Sequence, residues 1–207
     1  MSSPFVILDL NSYLQYYSPE EILSDLSLFK SRNGSEELCH FIQETFNEDG
    51  TKKDNFLDFE NKHLCRIYFI LSDKVNDSSD KCVLNLKNGA YPVYGYFSIS
   101  AKIFYETNLY TDQSLLSKKN TVTYLIGHLC KNDSYEWENG GLFMLQQCFE
   151  IIESVHQKIG IEYILIECDK SLIEYYSRQH FKEVGFNRKS GLFQMIRKVS
   201  ENPKISC

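Results

Sequence analysis

The chain is predicted to be of the α/β (α+β) class, a mixed sheet with helices on both faces, on three observations. Residues 93–104 alternate, with Val93, Phe97, Ile99, Ala101 and Ile103 on one side and Tyr94, Tyr96, Ser98, Ser100 and Lys102 on the other. That period of two marks a half-buried strand whose polar face is open to solvent or a ligand. Tyr163-Ile164-Leu165-Ile166 is a short unbroken apolar run, as in a strand covered on both sides. Between them Leu145, Cys148, Phe149, Ile152, Val155 and Ile159 recur at helical spacing from Leu142 until Gly160 stops the pattern.

The remaining elements follow in order. Residues 5–10 read as a short first strand. Ser18-Pro19-Glu20-Glu21 places a cap, a first-turn proline and a capping-box glutamate ahead of Ile22, Leu23, Leu26 and Phe29, so a helix starts there. Residues 31–35 break it. A second helix from Glu36 carries Leu38, Phe41, Ile42 and, by continuation, Thr45-Phe46. After a polar interruption, Phe56-Leu57-Asp58-Phe59 resumes the helix. Residues 64–71 are apolar and β-favouring. Residues 76–81 and 108–120 are loops, and 121–130 is another strand. Residues 172–179 form a short helix bearing Tyr175 and Tyr176, and 184–187 and 192–199 close as strands around Gly191. No repeat, low-complexity stretch or linker interrupts the 207 residues, which predicts a single domain over 1–207, with 1–62 as an N-terminal strand and helices ahead of a core over 63–200.

Composition bounds the function. Hydrophobic residues at 43% and aromatics at 14% exclude general disorder, and a net charge of −6 argues against a surface built broadly for nucleic acid. From residue 170 onward eight Lys/Arg face three Glu, a local cationic edge that reads first as a solvated face. Seven cysteines, at 39, 65, 82, 130, 148, 168 and 207, are odd in number, irregularly spaced and without a C-x-x-C. They predict a reducing compartment with neither a disulfide framework nor a metal site. Phe5-Val6-Ile7-Leu8 is too short for a signal core and no run reaches a membrane span, so the expected location is cytoplasmic, with no membrane partner.

The chemistry sits between residues 124 and 186. A strand feeds the turn Lys131-Asn132-Asp133-Ser134-Tyr135-Glu136-Trp137-Glu138-Asn139-Gly140-Gly141, which opens the long helix. The first amides of a helix lack internal partners and its dipole favours an anion there, so this is a phosphate-binding arrangement. The bland alternative is a flexible turn. The order strand, glycine turn, helix, strand, tyrosine helix adds a proton donor beside the cradle. His128, inside an apolar strand, reads as a buried histidine before a base, and Glu167 at its strand end as a candidate base.

This order resembles the GCN5-related N-acetyltransferase (GNAT) family over roughly residues 64–199. The family signature is a strand ending Leu-Ala-Val, a turn of about five residues, then Arg/Gln-x-x-Gly-x-Gly/Ala and a helix with paired leucines. Here Leu129-Cys130-Lys131 falls on the strand end, Glu136-x-x-Asn139-x-Gly141 on the glycine signature and Met144-Leu145 on the leucines. The second signature, a tyrosine helix closing on Gly-Phe, falls on residues 172–181, with His180 in place of the glycine. Leu125-Ile126-Gly127-His128-Leu129 and Leu192–Lys198 look like a bacterial branch with added N-terminal helices.

The resemblance implies a GNAT-like, mostly antiparallel sheet of about six to seven strands and an acetyl-CoA-dependent N-acetyltransferase acting on a primary amine by direct attack in a ternary complex. It implies cofactor contacts at Leu129, Cys130, Lys131, Trp137, Glu138, Asn139, Gly140, Gly141, Leu142 and Asp169, in the opening between strands 124–130 and 163–168. Tyr176 becomes the general acid for the leaving thiolate, Tyr175 a packing residue, and an N–H near Cys130 or Lys131 the oxyanion donor. Acetyl-CoA and an amine are the implied partners, tRNA is the one nucleic acid in view, and a homodimer is an allowed assembly. Two alternatives stand beside this: a toxin-type GNAT acetylating aminoacyl-tRNA, and a non-catalytic CoA-sensing or protein-binding module. Glu136 and Asn139, where the family has Arg/Gln and Gly, are the departures that favour the last. Asn and His accept positive φ more readily than most residues, so Asn139 and His180 are compatible with the turn geometry.

Overall fold

Strand alternation, three side-chain helix caps and one long apolar helix face organise the chain as a sheet with six α-helices along its described sequence. The computed structural model describes residues 5–31, 36–43, 46–47, 49–72, 93–105 and 120–201. The elements are β1 (Phe5–Asp9), α1 (Leu10–Leu14), α2 (Pro19–Leu26), α3 (Glu36–Ile42), α4 (Phe56–Asn61), β2 (Arg66–Ser72), β3 (Val93–Tyr105), β4 (Asn120–Lys131), α5 (Gly140–Ile159), β5 (Tyr163–Cys168), α6 (Ile173–Ser177), β6 (Lys182–Asn187) and β7 (Leu192–Lys198). The seven strands form one sheet in the order β1-β2-β3-β4-β5-β7-β6. It is mostly antiparallel; β4 and β5 run parallel, in register from Thr123↔Tyr163 to Ile126↔Ile166.

Local chemistry explains the element starts. Ser18 caps α2 in a full capping box: the Ser18 N–H donates to Glu21 at 2.8 Å and the Glu21 N–H to the Ser18 hydroxyl at 3.3 Å. Asn55 and Asp58 repeat the device on α4. Asp9 accepts from the Ser12 N–H and starts α1, a helix the sequence reading did not separate from the first strand. The expected helical continuation to Phe46 is not found: Phe46 instead makes an isolated bridge to Lys52. The expected loop at 76–81 and all of the expected loop at 108–120 except Asn120, which opens β4, lie outside the described residues.

The chain groups into two compact units, one from 1–98 and 128–144, the other from 99–127 and 145–207. In the first, Ile67, Phe69 and Leu71 of β2 bury against Leu10, Tyr13, Ile22, Leu26, Phe41, Ile42 and Phe56 of the N-terminal helices. Each such side chain contributes roughly 1.5–3 kcal/mol when fully buried. Glu60 sits inside this unit, accepting from the Ile67 N–H at 3.0 Å and pairing with Arg66. In the second, Phe104, Tyr163, Leu165, Val184 and Ile196 form the core on one side of the sheet.

The face assignment of β3 is corrected by the structure. Val93 and Phe97, on the expected apolar side, are buried, but Tyr96, Ser98 and Phe104 on the other side are buried too, and Ala101 and Ile103 of the expected side are exposed. Hydrophobic patterning located the strand but read it as buried on one side only, whereas residues of both sides are buried near its start, Tyr96 in the same core as the N-terminal helices.

Candidate active site

The turn after β4 is held by backbone-directed bonds from one asparagine. Asn132 is buried; its amide nitrogen donates to the Val93 carbonyl at 2.9 Å, and its Oδ1 accepts from the N–H groups of Lys30 at 3.2 Å and Ser134 at 3.0 Å. Its own N–H reaches the Tyr94 carbonyl at 2.8 Å, and the Asp133 N–H reaches the Lys30 carbonyl at 2.7 Å. A strand-end Asn-Asp-Ser is an ordinary turn signal, and it was legible as such. Its role as the anchor of the turn was not.

Trp137 wedges into this turn. Its indole lies 4.7 Å from the Phe5 ring, 5.5 Å from Phe143 and 5.9 Å from Tyr94, and Tyr135 stacks on Tyr94 at 4.7 Å. Gly140 is required by this packing: a Cβ there would meet indole atoms at 2.5 and 2.6 Å. Gly95 is equally confined, since a Cβ would come within 2.6 Å of the Met144 sulfur and 3.0 Å of the Cys130 carbonyl oxygen. Met144 and Leu145 are buried, so the helix start is fixed from below.

The helix opens as an anion site requires. Asn139 takes φ +55°, and its carbonyl accepts the first intrahelical bond, from the Phe143 N–H at 3.0 Å. Gly140 N–H makes only a long 3.4 Å bond to the Trp137 carbonyl. The N–H groups of Gly141 and Leu142 precede the first intrahelical donor and stand at the positive end of a 20-residue helix. Glu136 and Glu138 are exposed, so their carboxylates can turn into water. Lys131 is paired with Asp133 at 3.2 Å. Burial pushes the Cys130 thiol up to about 12, with Cys39 and Asp133 adding to it and Ser31 opposing, so Cys130 is a neutral packing residue rather than a nucleophile. The backbone of the turn therefore suits a diphosphate, and its side-chain charge weakens the fit by on the order of 1 kcal/mol per nearby exposed carboxylate.

Asp169 and Tyr176 belong to the second unit. Asp169 is exposed and leads into a 3-10 turn at Lys170–Leu172, accepting from the Leu172 N–H at 3.0 Å. Tyr176 is 7% exposed, and burial raises its phenol above the usual range, with Tyr175, Cys168 and Cys148 adding to the shift. A phenol so held keeps its proton through neutral pH, and the raised pKa makes it a weaker proton donor than an ordinary tyrosine. Its ring meets Tyr175 at 5.1 Å and Phe181 at 5.8 Å, edge to face. The chain leaves α6 through His180 at φ +66°, and the Phe181 N–H returns to the Tyr176 carbonyl at 3.1 Å. The Tyr175 hydroxyl is buried and has no hydrogen-bond partner among the described residues.

The two candidate bases are both committed elsewhere. His128 stacks on Phe41 at 3.8 Å, its Nδ1 is 2.9 Å from the Ser98 hydroxyl, and burial lowers its pKa to about 4. It is a neutral packing imidazole. Burial raises the Glu167 carboxyl, but bonds from Lys102, Gln194 and Asn187 and the lysine charge outweigh this and leave it lowered. A carboxylate so stabilised is a poor proton acceptor. Among the described residues no group of three or more His, Cys, Asp or Glu is placed to hold a metal ion.

No family model matches the chain, and no curated protein does. Solved structures do. A tyrosine-to-phenylalanine mutant of the AtaT toxin, bound to the C-terminus of the antitoxin AtaR and acetyl-CoA, superposes with a TM-score of 0.64 at 14% identity, covering 96% of this chain and 95% of that one. A tyrosine-to-phenylalanine mutant of KacT gives 0.60 at 15%, covering 96% of each. AtaT complexed with acetyl-methionyl-tRNAfMet gives 0.58 at 16%, covering 91% of this chain and 93% of that one. Over nearly its whole length, then, the chain has the fold of these toxins, which is the GNAT fold.

Proposed function

We propose that the chain is an acetyl-CoA-dependent N-acetyltransferase that moves acetyl to a primary amine in a ternary complex, in the cytoplasm. The observation that carries this is the start of α5, where Asn139 at positive φ leaves the Gly141 and Leu142 amides free to meet the cofactor's diphosphate. The fold supports it, since AtaT of the same fold is seen with acetyl-CoA. Leu129, Cys130 and Lys131 would lie along the pantetheine arm, with a β4 N–H there as oxyanion donor. The amine attacks the thioester carbonyl, the tetrahedral intermediate collapses, and the thiolate takes the Tyr176 proton. That both neighbours were studied as tyrosine-to-phenylalanine mutants supports a tyrosine at the centre of the chemistry.

The acceptor we infer is the α-amine of an aminoacyl-tRNA, because AtaT is seen with acetyl-methionyl-tRNAfMet. Two measurements decide. Acetyl-CoA at a hundred times its Kd should stabilise the fold by roughly 2.7 kcal/mol, a rise of about 5–10 °C in melting temperature. Radiolabelled acetyl should then appear on aminoacyl-tRNA when a panel of polyamines, peptides and charged tRNA is offered. No thermal shift at millimolar acetyl-CoA rejects binding and catalysis together. A shift without transfer to any amine leaves the non-catalytic CoA-binding module.

A further inference from the structure

Glu167 is the first residue of β5 beyond its ladder with β4, which ends at Ile126↔Ile166. Successive side chains of a strand point to opposite faces. Tyr163 and Leu165 belong to the core that includes Phe104, so Glu167 lies on that side, where Lys102 of β3 reaches it. Cys168, the next residue, lies on the other side, among the neighbours of Tyr176. The end of β5 thus separates Glu167 from the buried tyrosine.

The carboxylate is held asymmetrically. Oε1 receives three donors: Lys102 Nζ at 2.8 Å, Gln194 Nε2 at 2.8 Å and Asn187 Nδ2 at 3.1 Å. Among the described residues no hydrogen bond engages Oε2. A cross-strand ion pair that served stability alone would gain by dividing its donors between both oxygens, because each oxygen has two lone pairs to satisfy. Saturating one oxygen fixes the plane of the carboxylate and leaves the other as an oriented acceptor. The side chain is 14% exposed, enough to be met from outside.

We propose that Glu167 Oε2 is the anchor for the acceptor's ammonium group, which makes Glu167 a specificity-determining residue of the transferase. This rests on the acetyltransferase reading above. The anchored carboxylate is too stabilised to take the proton; it binds the cationic amine, which loses its proton to water before the free amine attacks. The incoming nitrogen and the departing sulfur occupy different corners of the tetrahedral carbon. A carboxylate on one side of the strand end and a phenol on the other match that requirement.

The test is a split of Michaelis constants with acetyl-CoA and a pool of aminoacyl-tRNA as substrates. Glu167→Gln keeps an oxygen for the three donors and puts an amide N–H where the second oxygen stood. Its KM for aminoacyl-tRNA should rise about tenfold, the loss of one charge-assisted hydrogen bond, with the KM for acetyl-CoA within about twofold. Lys102→Met removes one of the three donors that orient the carboxylate but keeps its charge, and should raise the acceptor KM by less than Glu167→Gln does. An unchanged acceptor KM in Glu167→Gln, or equal rises for both substrates, overturns the assignment. Should Glu167→Gln not fold, the wild-type protein decides: about tenfold tighter binding of charged than of deacylated tRNA supports the anchor, and equal affinity overturns it. A wild-type protein that acetylates no amine instead defeats the enzyme reading, before any variant is made.

Discussion

Gly140→Ala tests whether the turn's shape depends on the tryptophan wedge. The added Cβ would sit 2.5 and 2.6 Å from two indole atoms, about 1 Å inside ordinary contact. The neighbour is a rigid ring confined by Phe5, Phe143 and Tyr94, so it cannot swing aside as a flexible chain end would. Overpacking of this kind costs about 1–3 kcal/mol. Alanine's helix propensity returns up to about 1 kcal/mol, less in a first turn. The net is a loss of roughly 1–2 kcal/mol, or about 2–8 °C in melting temperature for a chain of this size. The assay is built in, because Trp137 is the protein's single tryptophan. Its emission should shift red as the ring is pushed toward water, and acetyl-CoA affinity should fall with it. Pairing Gly140→Ala with Trp137→Leu should recover part of the stability, a positive coupling in a double-mutant cycle. A variant with unchanged emission and an equal or higher melting temperature refutes the steric argument, and with it the reason that a glycine stands at this position.

Two further outcomes are expected. Tyr176→Phe should lower turnover by on the order of 10²-fold with little change in the KM for acetyl-CoA, since a thiolate leaves tolerably unaided and the hydroxyl acts mainly in the transition state; Tyr175→Phe should do much less, and equal behaviour of the two removes the general-acid assignment. His128, held near pKa 4 by burial, stays neutral in the folded chain while an unfolded histidine protonates near 6.5. The unfolded state therefore binds the proton first: this contribution to stability is complete above about pH 6.5 and is lost down to about pH 4, by roughly 3 kcal/mol at most. Urea midpoints at pH 7 and 4.5 measure the decline, which His128→Phe should make shallower; an unaltered slope assigns the acid sensitivity to other groups.

The strands and the long helix were legible because their patterns are local. Capping at Ser18 and the stop at Gly160, which takes φ +65°, needed only neighbours in sequence. What was not legible depends on distant partners. The buried face of β3 is decided by what packs on it, and period-two patterning is silent when both sides carry large rings. Asn132 looked like a turn residue; that it ties Lys30, Val93 and Ser134 together needs residues up to 102 positions away. Glu167 looked like a base, and only three donors from β3, β6 and β7 show that it is not free to act as one. Trp137 stands among the cofactor contacts that the resemblance implies, and its ring packs inside the turn against Phe5, Tyr94 and Phe143.

The departures from the family signature bear on why a whole-chain fold match coexists with 14–16% identity and no matching family model. The device at the start of α5 works through N–H groups, a helix dipole and one backbone reversal. None of these needs a particular side chain. Asn139 and His180 take φ +55° and +66° where the family uses glycine, so each reversal survives its substitution at the modest strain that asparagine and histidine carry. Glu136 is exposed and can leave its backbone to the phosphate while its carboxylate faces water. Gly140, held by sterics as Gly95 is, lies at the variable position of the signature and serves a tryptophan that the signature does not specify. A pattern written in side chains does not register a turn whose geometry rests on backbone groups.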